Sequence, residues 1–215
     1  MRLRMLVSCF PLLTLLFGFS CTRENKLPSI TSPLDDVGDC LAVFPDHPWE
    51  AVHRIEAKLG LQGSYSCIGL TKGDPAERII RCALLSAEGF VLFEAEQHED
   101  RITIIQALPP FDSIGFAKGL IEDVDLIFFA PQDQPSDFGR VADGALVCRW
   151  VGPSGLMKEV MRVNSDLWKI SLWNDQRKVK REVWLTKRPT EKIATQIELH
   201  ASDVYEYTLK MVLVE

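Results

Sequence analysis

Residues 109–131 contain an amphipathic helix that needs an apolar surface to cover. In PPFDSIGFAKGLIEDVDLIFFAP, apolar side chains recur at alternating steps of three and four residues, at Ile114, Ala117, Ile121, Val124 and Phe128. The opposite face carries Lys118, Glu122, Asp123 and Asp125. Asp112 or Ser113 can cap the start, and Pro131 ends the pattern. The spacing predicts a helix over about 113–129, lying either inside a sheet that curls round it or on a flat sheet.

The segments around this helix show a period of two instead. Their starts are about 9–14 residues apart, with turn residues between them, which is typical of an antiparallel meander and not of alternating strands and helices. Residues 132–144 lack a period and are expected to form a loop. The predicted strands are 62–71, 77–86, 89–96, 101–108, 145–151, 156–163, 166–173, 180–186, 192–200 and 204–214.

A second helix is expected before the first of these strands. Asp46 is a plausible cap, Pro48 would sit in the first turn, and Gly60 would suit the C-terminal end. Trp49 and Val52 begin a helical spacing that continues to residue 59. The sequence therefore predicts a helix over 48–59.

Taken together, these elements predict a mainly β (α+β) fold. Some strands are apolar on both faces, such as 90–93, and others alternate, such as 168–172. About ten antiparallel strands in a chain of this length tend to curl. We expect a strongly curved antiparallel sheet, or incomplete barrel, whose concave face is covered by the N-terminal helix and the helix at about 113–129.

The start of the chain predicts export. The basic residues Arg2 and Arg4 precede an apolar run, Met5 to Phe19, that is short for a membrane span and is typical of a secretion signal. Cys21 follows small residues, which resembles the lipobox of bacterial lipoproteins, although Gly18 stands where those proteins prefer leucine.

That resemblance implies a signal peptide over 1–20 and a mature N-terminus at Cys21 that carries palmitate-type acyl chains. Thr22, which is not Asp, favours the periplasmic face of the outer membrane over the inner membrane. The alternative is an ordinary secreted protein cut near Ser20, with Cys21 a plain thiol.

A polar segment over 21–38 separates this signal from the folded part. It carries prolines without periodicity, which predicts a flexible tether before a single domain over 39–215. The net charge is −6, and loss of Arg2 and Arg4 with the signal would make it −8. This acidity argues against nucleic acid as a partner and against electrostatic docking on anionic lipid.

Four further cysteines could form disulfides in an oxidising compartment. A hairpin turning near Asp74 and Pro75 would place Cys67 opposite Cys82 in a symmetric register, which would leave Cys40 with Cys148. A slip in register would separate the first pair, and the alternative is buried thiols. No Cys/His spacing typical of a metal site is present, so we expect neither metal nor other cofactor.

No catalytic motif stands out, and we do not expect an enzyme. There is no G-x-S-x-G, no H-E-x-x-H and no glycine-rich phosphate loop. The tryptophans are expected to fill the core or to cover strand edges, with an aromatic-lined ligand cavity as the alternative, at Trp150, Trp168, Trp173 and Trp184. The histidines are expected on the surface or on helices, at His47, His53, His98 and His200.

Three segments, IIRCALLSAEGFVLFEAE, GLIEDVDLIFFAP and the terminal strand with Tyr205 and Tyr207, carry a family resemblance. In pattern and order they resemble bacterial lipoproteins with the LolA/LolB-like lipoprotein-carrier fold, over roughly 60–215. In that fold helices close an incomplete barrel around an apolar cavity that receives acyl chains. The resemblance implies a cavity lined here by Ile114, Ala117, Ile121 and Val124.

The expected function is binding of an acyl chain, lipid or lipoprotein by a membrane-anchored periplasmic lipoprotein. The alternative is a non-enzymatic envelope scaffold with a solid core that binds another envelope protein. One feature departs from the family, because LolB displays an apolar residue on a protruding loop. The corresponding turn here, residues 86–89, has no large apolar side chain.

Overall fold

The computed structural model describes residues 27–33, 38–60, 63–202 and 206–214, and in these ranges it contains thirteen strands and two α-helices. The helices are α1 (Gly38–Leu41) and α2 (Ile114–Phe128). The strands are β1 (Ile30–Pro33), β2 (Trp49–Lys58), β3 (Ser64–Asp74), β4 (Ile79–Leu85), β5 (Val91–His98), β6 (Arg101–Ala107), β7 (Asp137–Val141), β8 (Leu146–Val151), β9 (Met157–Arg162), β10 (Leu167–Trp173), β11 (Val179–Thr186), β12 (Gln196–Ser202) and β13 (Glu206–Leu213).

The described strands form one antiparallel sheet in the order β1-β7-β8-β9-β10-β11-β12-β13-β2-β3-β4-β5-β6. It consists of two meanders, β2–β6 and β7–β13, which meet where β13 pairs with β2, and of β1, which pairs with β7 at the other end. β1 and β6 are the two edges, so the sheet is not closed into a barrel. The predicted mainly β fold with a large antiparallel sheet is confirmed.

The sheet curls round α2. The helix packs against β4, β6 and β10, yet β6 and β10 are eight places apart in the sheet. At about 4.8 Å per strand, eight places in a flat sheet would span roughly 38 Å. A helix of 15 residues is only about 22 Å long and about 10 Å wide. It therefore reaches both strands only because the sheet is curved, which excludes the flat-sheet alternative.

The predicted helix over about 113–129 is confirmed as α2. The Ser113 hydroxyl accepts a hydrogen bond from the Phe116 amide, and Phe129 is the C-terminal cap. Most of the apolar stripe, including Ala117, Ile121 and Val124, is buried. The helix is stable because Ser113 caps its first turn and because its apolar face, with a period of 3.6 residues, is buried against the concave face of the sheet.

Residues 49–58 form strand β2, so the predicted helix over 48–59 is wrong. β2 is hydrogen-bonded to β13 on one side and to β3 on the other, and Ala51, His53 and Ile55 alternate inward. Pairing on both sides along the whole segment outweighs the local capping signals. Pro48 lies just before the strand, where its missing N–H is tolerated. In the described ranges the helical turn before β2 is α1.

Two further segments depart from expectation. Part of the predicted tether, Ile30–Pro33, forms β1 and pairs with β7, and the Arg149 guanidinium donates to the Pro28 carbonyl beside it. The predicted loop over 132–144 contains β7. Both strands are short, so neither shows a clear period in the sequence. The signal peptide over 1–20, Cys21 and the rest of the tether up to residue 26, as well as Tyr205, lie outside the described residues.

The predicted Cys67–Cys82 disulfide is wrong, and the bridge that forms joins Cys40 to Cys148, with Cα atoms 6.2 Å apart. In the observed register Cys82 faces Thr71, four residues along β3 from Cys67. The turn between β3 and β4 is centred later than Asp74 and Pro75, which shifts the whole register. The bridge ties α1 to β8 and holds residues 38–46 against the sheet.

No helix in the described ranges has both the length and the apolar content needed to cross a membrane.

Candidate functional site

The apolar face of α2 and the concave face of the sheet enclose the candidate site. Of the four residues predicted to line a ligand cavity, Ala117, Ile121 and Val124 are buried between helix and sheet, whereas Ile114 is 64% exposed at the start of the helix. Only Val124 borders the cavity that the structure contains there. The sequence therefore identified the buried face of the helix, but it wrongly predicted that Ile114, in the first turn, is buried as well.

This cavity has a volume of about 40 Å³, much smaller than the roughly 300–1,000 Å³ typical of ligand pockets. It has room for one or two water-sized molecules. Its apolar walls come from α2 and from the strands below, including Ile55, Leu84, Leu120, Val124 and Leu209. None of Trp150, Trp168, Trp173 and Trp184 lines it; the first three are buried in the core and the last is half-buried. The side chains of α2 therefore leave little empty space between the helix and the concave face of the sheet.

A histidine lies in the wall of the cavity. His53 of β2 is 1% exposed and its ring packs on Phe128, with ring centroids 5.9 Å apart. Its Nε2 has no hydrogen-bond partner among the described residues. Burial lowers the pKa of His53 to about 4, so the imidazole is neutral near pH 7. His53 was expected on the surface or on a helix; it lies in the core because residues 49–58 form a central strand.

The buried histidine predicts acid sensitivity. An unfolded histidine takes up a proton near pH 6.5, whereas folded His53 does so only near pH 4. The unfolded state therefore binds more protons between these values, and the free energy of unfolding should fall by about 2–3 kcal/mol as the pH drops from 7 to 4. Chemical denaturation at several pH values measures this slope.

A matched pair of variants assigns that slope to the buried ring. His53→Leu should remove it, whereas His200→Leu, at a half-exposed position on β12, should keep it. Equal slopes in both variants would show that other groups cause the acid sensitivity.

A buried carboxylate also borders the cavity. Asp123 of α2 accepts hydrogen bonds from Arg181 Nε, at 3.0 Å, and from the Tyr207 hydroxyl. Burial raises the pKa of Asp123, and the bonds from Tyr207 and Arg181 oppose that rise. Burial likewise raises the pKa of Tyr207, so its hydroxyl stays protonated. The three side chains join α2 to β11 and β13.

The sequence predicted Asp123 on the wet face of the helix, and that prediction is wrong. Asp123 lies one position before the buried Val124, at the border of the apolar stripe. Its partners are distant in sequence, since Arg181 is 58 residues away and Tyr207 is 84 residues away. Only the curvature of the sheet brings them to the helix, and no local pattern shows that.

Further contacts hold the C-terminal end of α2. Arg78 pairs with Asp125 and donates to the Ala130 carbonyl at 3.2 Å. Lys158 Nζ donates to the Phe129 carbonyl at 2.8 Å, and burial lowers the pKa of Lys158 to about 7. Cations favour the negative end of a helix dipole, so these contacts stabilise the last turn.

The N-terminal half of α2 is held differently. Across the described ranges, no ion pair involves α2 before Asp123, and Phe116 is half-buried against Phe93 and Phe111. This half contains Gly115 and Gly119, and a Cβ atom added at either glycine would have no atom within 4 Å other than those of its chain neighbours and of the helix backbone. Glycine in a helix costs about 0.5–1 kcal/mol relative to alanine. The helix is therefore clamped at one end and held at the other by its cap and by apolar packing.

Exposed apolar side chains collect at the loosely held end, where β4 ends, β5 begins and β6 leads into α2. Phe90, which is 69% exposed, ends the β4–β5 turn, and its carbonyl accepts a hydrogen bond from the Ser86 amide. Ile105, Leu108 and Ile114 are also exposed. The expectation that this turn has no large apolar side chain holds for residues 86–89 but misses Phe90, the residue after them.

Within the described ranges no group of three His, Cys, Asp or Glu side chains is arranged to hold a metal ion. Comparison with known proteins identifies no family model that matches the chain. No curated protein matches it either.

Among solved structures, a LolA superfamily protein from Nitrosomonas europaea resembles this one, with a TM-score of 0.47 and 10% sequence identity. The match covers 82% of this chain and 88% of that one. At this level the likeness does not establish a shared family or function.

Proposed function

We propose that this protein is a lipoprotein anchored through acylated Cys21 to the periplasmic face of the outer membrane, and that it binds an acyl chain of a lipid or lipoprotein between α2 and the sheet. It acts without catalysis and without a cofactor. The anchoring rests on the lipobox-like segment that ends at Cys21. The binding rests on the geometry around α2.

The unequal attachment of α2 carries the proposal. Arg181 holds Asp123, and Arg78 holds Asp125. Lys158 and Arg78 donate to the carbonyls of Phe129 and Ala130, which directly follow the helix. Among the described residues, no ion pair involves the first two turns of α2, and these turns contain two glycines. The N-terminal half can therefore move away from the sheet while the C-terminal half stays in place, which opens the small cavity toward Phe93 and Phe116.

The opened space suits a fatty chain because its walls are apolar. Each buried methylene contributes about 0.8 kcal/mol, so a chain of about ten methylenes would gain roughly 8 kcal/mol before the cost of displacing Phe116 and its neighbours. The exposed apolar residues Phe90, Leu108 and Ile114 lie at the end where such a chain would enter.

The test is native mass spectrometry of the full chain after mild detergent extraction from membranes. We expect co-purified lipid with one or two acyl chains, and we expect a Cys21→Ala variant to leave the membrane fraction. A lipid-free protein that also fails to take up added lauric acid and methyl laurate would contradict acyl-chain binding. A Cys21→Ala variant that remains membrane-bound would contradict the anchoring alone.

Stiffening the loosely held half of α2 should slow ligand exchange. The double variant Gly115→Ala/Gly119→Ala adds two methyl groups into open space, so the free energy of unfolding should rise by about 1–2 kcal/mol. Exchange of a fluorescent acyl probe should become several-fold slower, which stopped-flow fluorescence measures. Gly152→Ala, outside any helix, is the control. Greater stability with unchanged exchange would show that this half of the helix does not gate the site.

A second candidate function is supported by β6. This strand is one edge of the sheet, most of its residues are exposed, and Ile105 is among them. An exposed edge can pair with a strand of another protein. Together with the small closed cavity, the edge supports an envelope scaffold that binds a protein partner. The test is crosslinking from β6 in intact envelopes. Capture of one specific protein, together with the absence of bound lipid in the purified protein, would favour this function.

A further inference from the structure

The cavity under α2 contains a polar group that an acyl chain alone would not use. His53 Nε2 is buried without a partner, in a wall that is otherwise mostly apolar. A buried polar atom left without a hydrogen bond is destabilising, because it has lost its bonds to water without gaining a partner. The position of His53, deep under the clamped end of α2, places this atom at the inner end of the proposed binding space.

The charges nearby restrict what could bind to it. The His53 imidazole is neutral near pH 7 because burial lowers its pKa to about 4. No lysine or arginine is among the described residues that line the cavity, and Arg181, which reaches Asp123 from β11, is bonded to that carboxylate. A carboxylate brought into the cavity would therefore find no free positive charge, and an unpaired buried charge is strongly disfavoured. An uncharged group can bond to a neutral imidazole at no such cost.

The size of the cavity restricts the ligand further. About 40 Å³ accommodates a compact group such as an ester, a primary amide or a hydroxyl, and it excludes a phosphate-bearing headgroup. The chain attached to that group would run from His53 along Leu120 toward Phe116 and the loosely held end of α2. This orientation places the polar end innermost.

Building on the proposed acyl-chain binding, we infer that His53 is a recognition residue and that the site takes a single-chain lipid with a compact, uncharged polar end, bound polar end first. The hydrogen bond from or to Nε2 selects an ester, amide or alcohol over a free fatty acid. Asp123 holds Arg181 away from the ligand and so keeps the site closed to carboxylates.

The test compares lauric acid with methyl laurate, which share one chain and differ in charge. Isothermal titration calorimetry at pH 7.5 uses the full chain with Cys21→Ala, so that acyl chains on Cys21 cannot compete. We expect methyl laurate to bind about tenfold more tightly than lauric acid. Equal affinities would overturn the inference and leave acyl-chain binding intact, whereas binding of neither compound would overturn both.

Three variants identify the groups responsible. His53→Leu should weaken methyl laurate about fivefold and change lauric acid little, while His53→Gln, which keeps a neutral hydrogen-bonding group, should recover part of the loss. His200→Leu should change neither affinity. Unchanged methyl laurate binding in His53→Leu would show that Nε2 does not contact the ligand.

Discussion

Replacing Arg181 with methionine is expected to lower the free energy of unfolding by about 3–5 kcal/mol. Arg181 is the cation that balances the buried carboxylate of Asp123, and its removal would leave that carboxylate with the Tyr207 hydroxyl alone. Burial already raises the pKa of Asp123, and the variant would raise it further. The loss should therefore be largest near neutral pH and should shrink in acid, as the carboxyl becomes protonated. Urea denaturation at pH 7 and pH 5 measures both effects.

The controls separate a buried pair from an exposed one. The double variant Asp123→Leu/Arg181→Met removes both charges and should recover most of the stability. Arg188→Met breaks the exposed pair with Glu191 and should cost less than about 1 kcal/mol. If Arg181→Met costs no more than Arg188→Met, the buried network does not fix the end of α2, and the hinge in the proposed function loses its support.

Removal of the Cys40–Cys148 bridge is the second large effect we expect. The bridge closes a loop with a sequence separation of 108, and an entropy model gives about 4–5 kcal/mol for a loop of this length. The double variant Cys40→Ala/Cys148→Ala should lose about 2–5 kcal/mol. Segment 38–46 should also become more accessible to proteolysis, although the buried side chains of Val43 and Phe44 and the bonds from Lys187 to the Ala42 and Val43 carbonyls still contribute to holding it.

The other thiols provide the control. Cys67 is half-buried and Cys82 is buried, and burial raises the pKa of both. Cys67→Ala should cost less than about 1 kcal/mol, and alkylation of the unfolded, unreduced protein should modify both Cys67 and Cys82. Protection of either thiol, or an equally large loss from Cys67→Ala, would contradict the observed pairing.

Much of the fold follows from the sequence because its strongest elements are periodic and locally capped. α2 has a 3.6-residue stripe and the Ser113 cap, and it begins and ends within a residue or two of the predicted range. The strands from β3 to β6 and from β8 to β13 are separated by clear turns, and several of them, such as β4 and β12, alternate in burial, so they were predicted within a few residues. Such signals depend on neighbours in the sequence.

The features that escaped prediction depend on distant neighbours. β2 is a strand because β3 and β13 pair with it on both sides, and the β13 partner of His53 is Leu213. Asp123 is buried because Arg181 and Tyr207 reach it from other strands. The expected Cys40–Cys148 pair forms, but the Cys67–Cys82 pair does not, because the register between β3 and β4 is shifted in a way that the turn residues did not reveal. The cavity is bordered by both His53 and Asp123, and the sequence had wrongly predicted His53 on the surface or on a helix and Asp123 on the exposed face of α2.

The pairing of β13 with β2 also constrains how the chain can fold. These strands form the seam between the two meanders, so the middle of the sheet remains open until residues 206–213 are available. Contacts that span about 160 residues carry a large loop-closure cost, which slows folding. A chain that emerges N-terminus first would thus remain partly unfolded and accessible to chaperones until β13 is available. A truncation before β13 would leave β12 and β2 as two unpaired, aggregation-prone edges in the centre of the sheet.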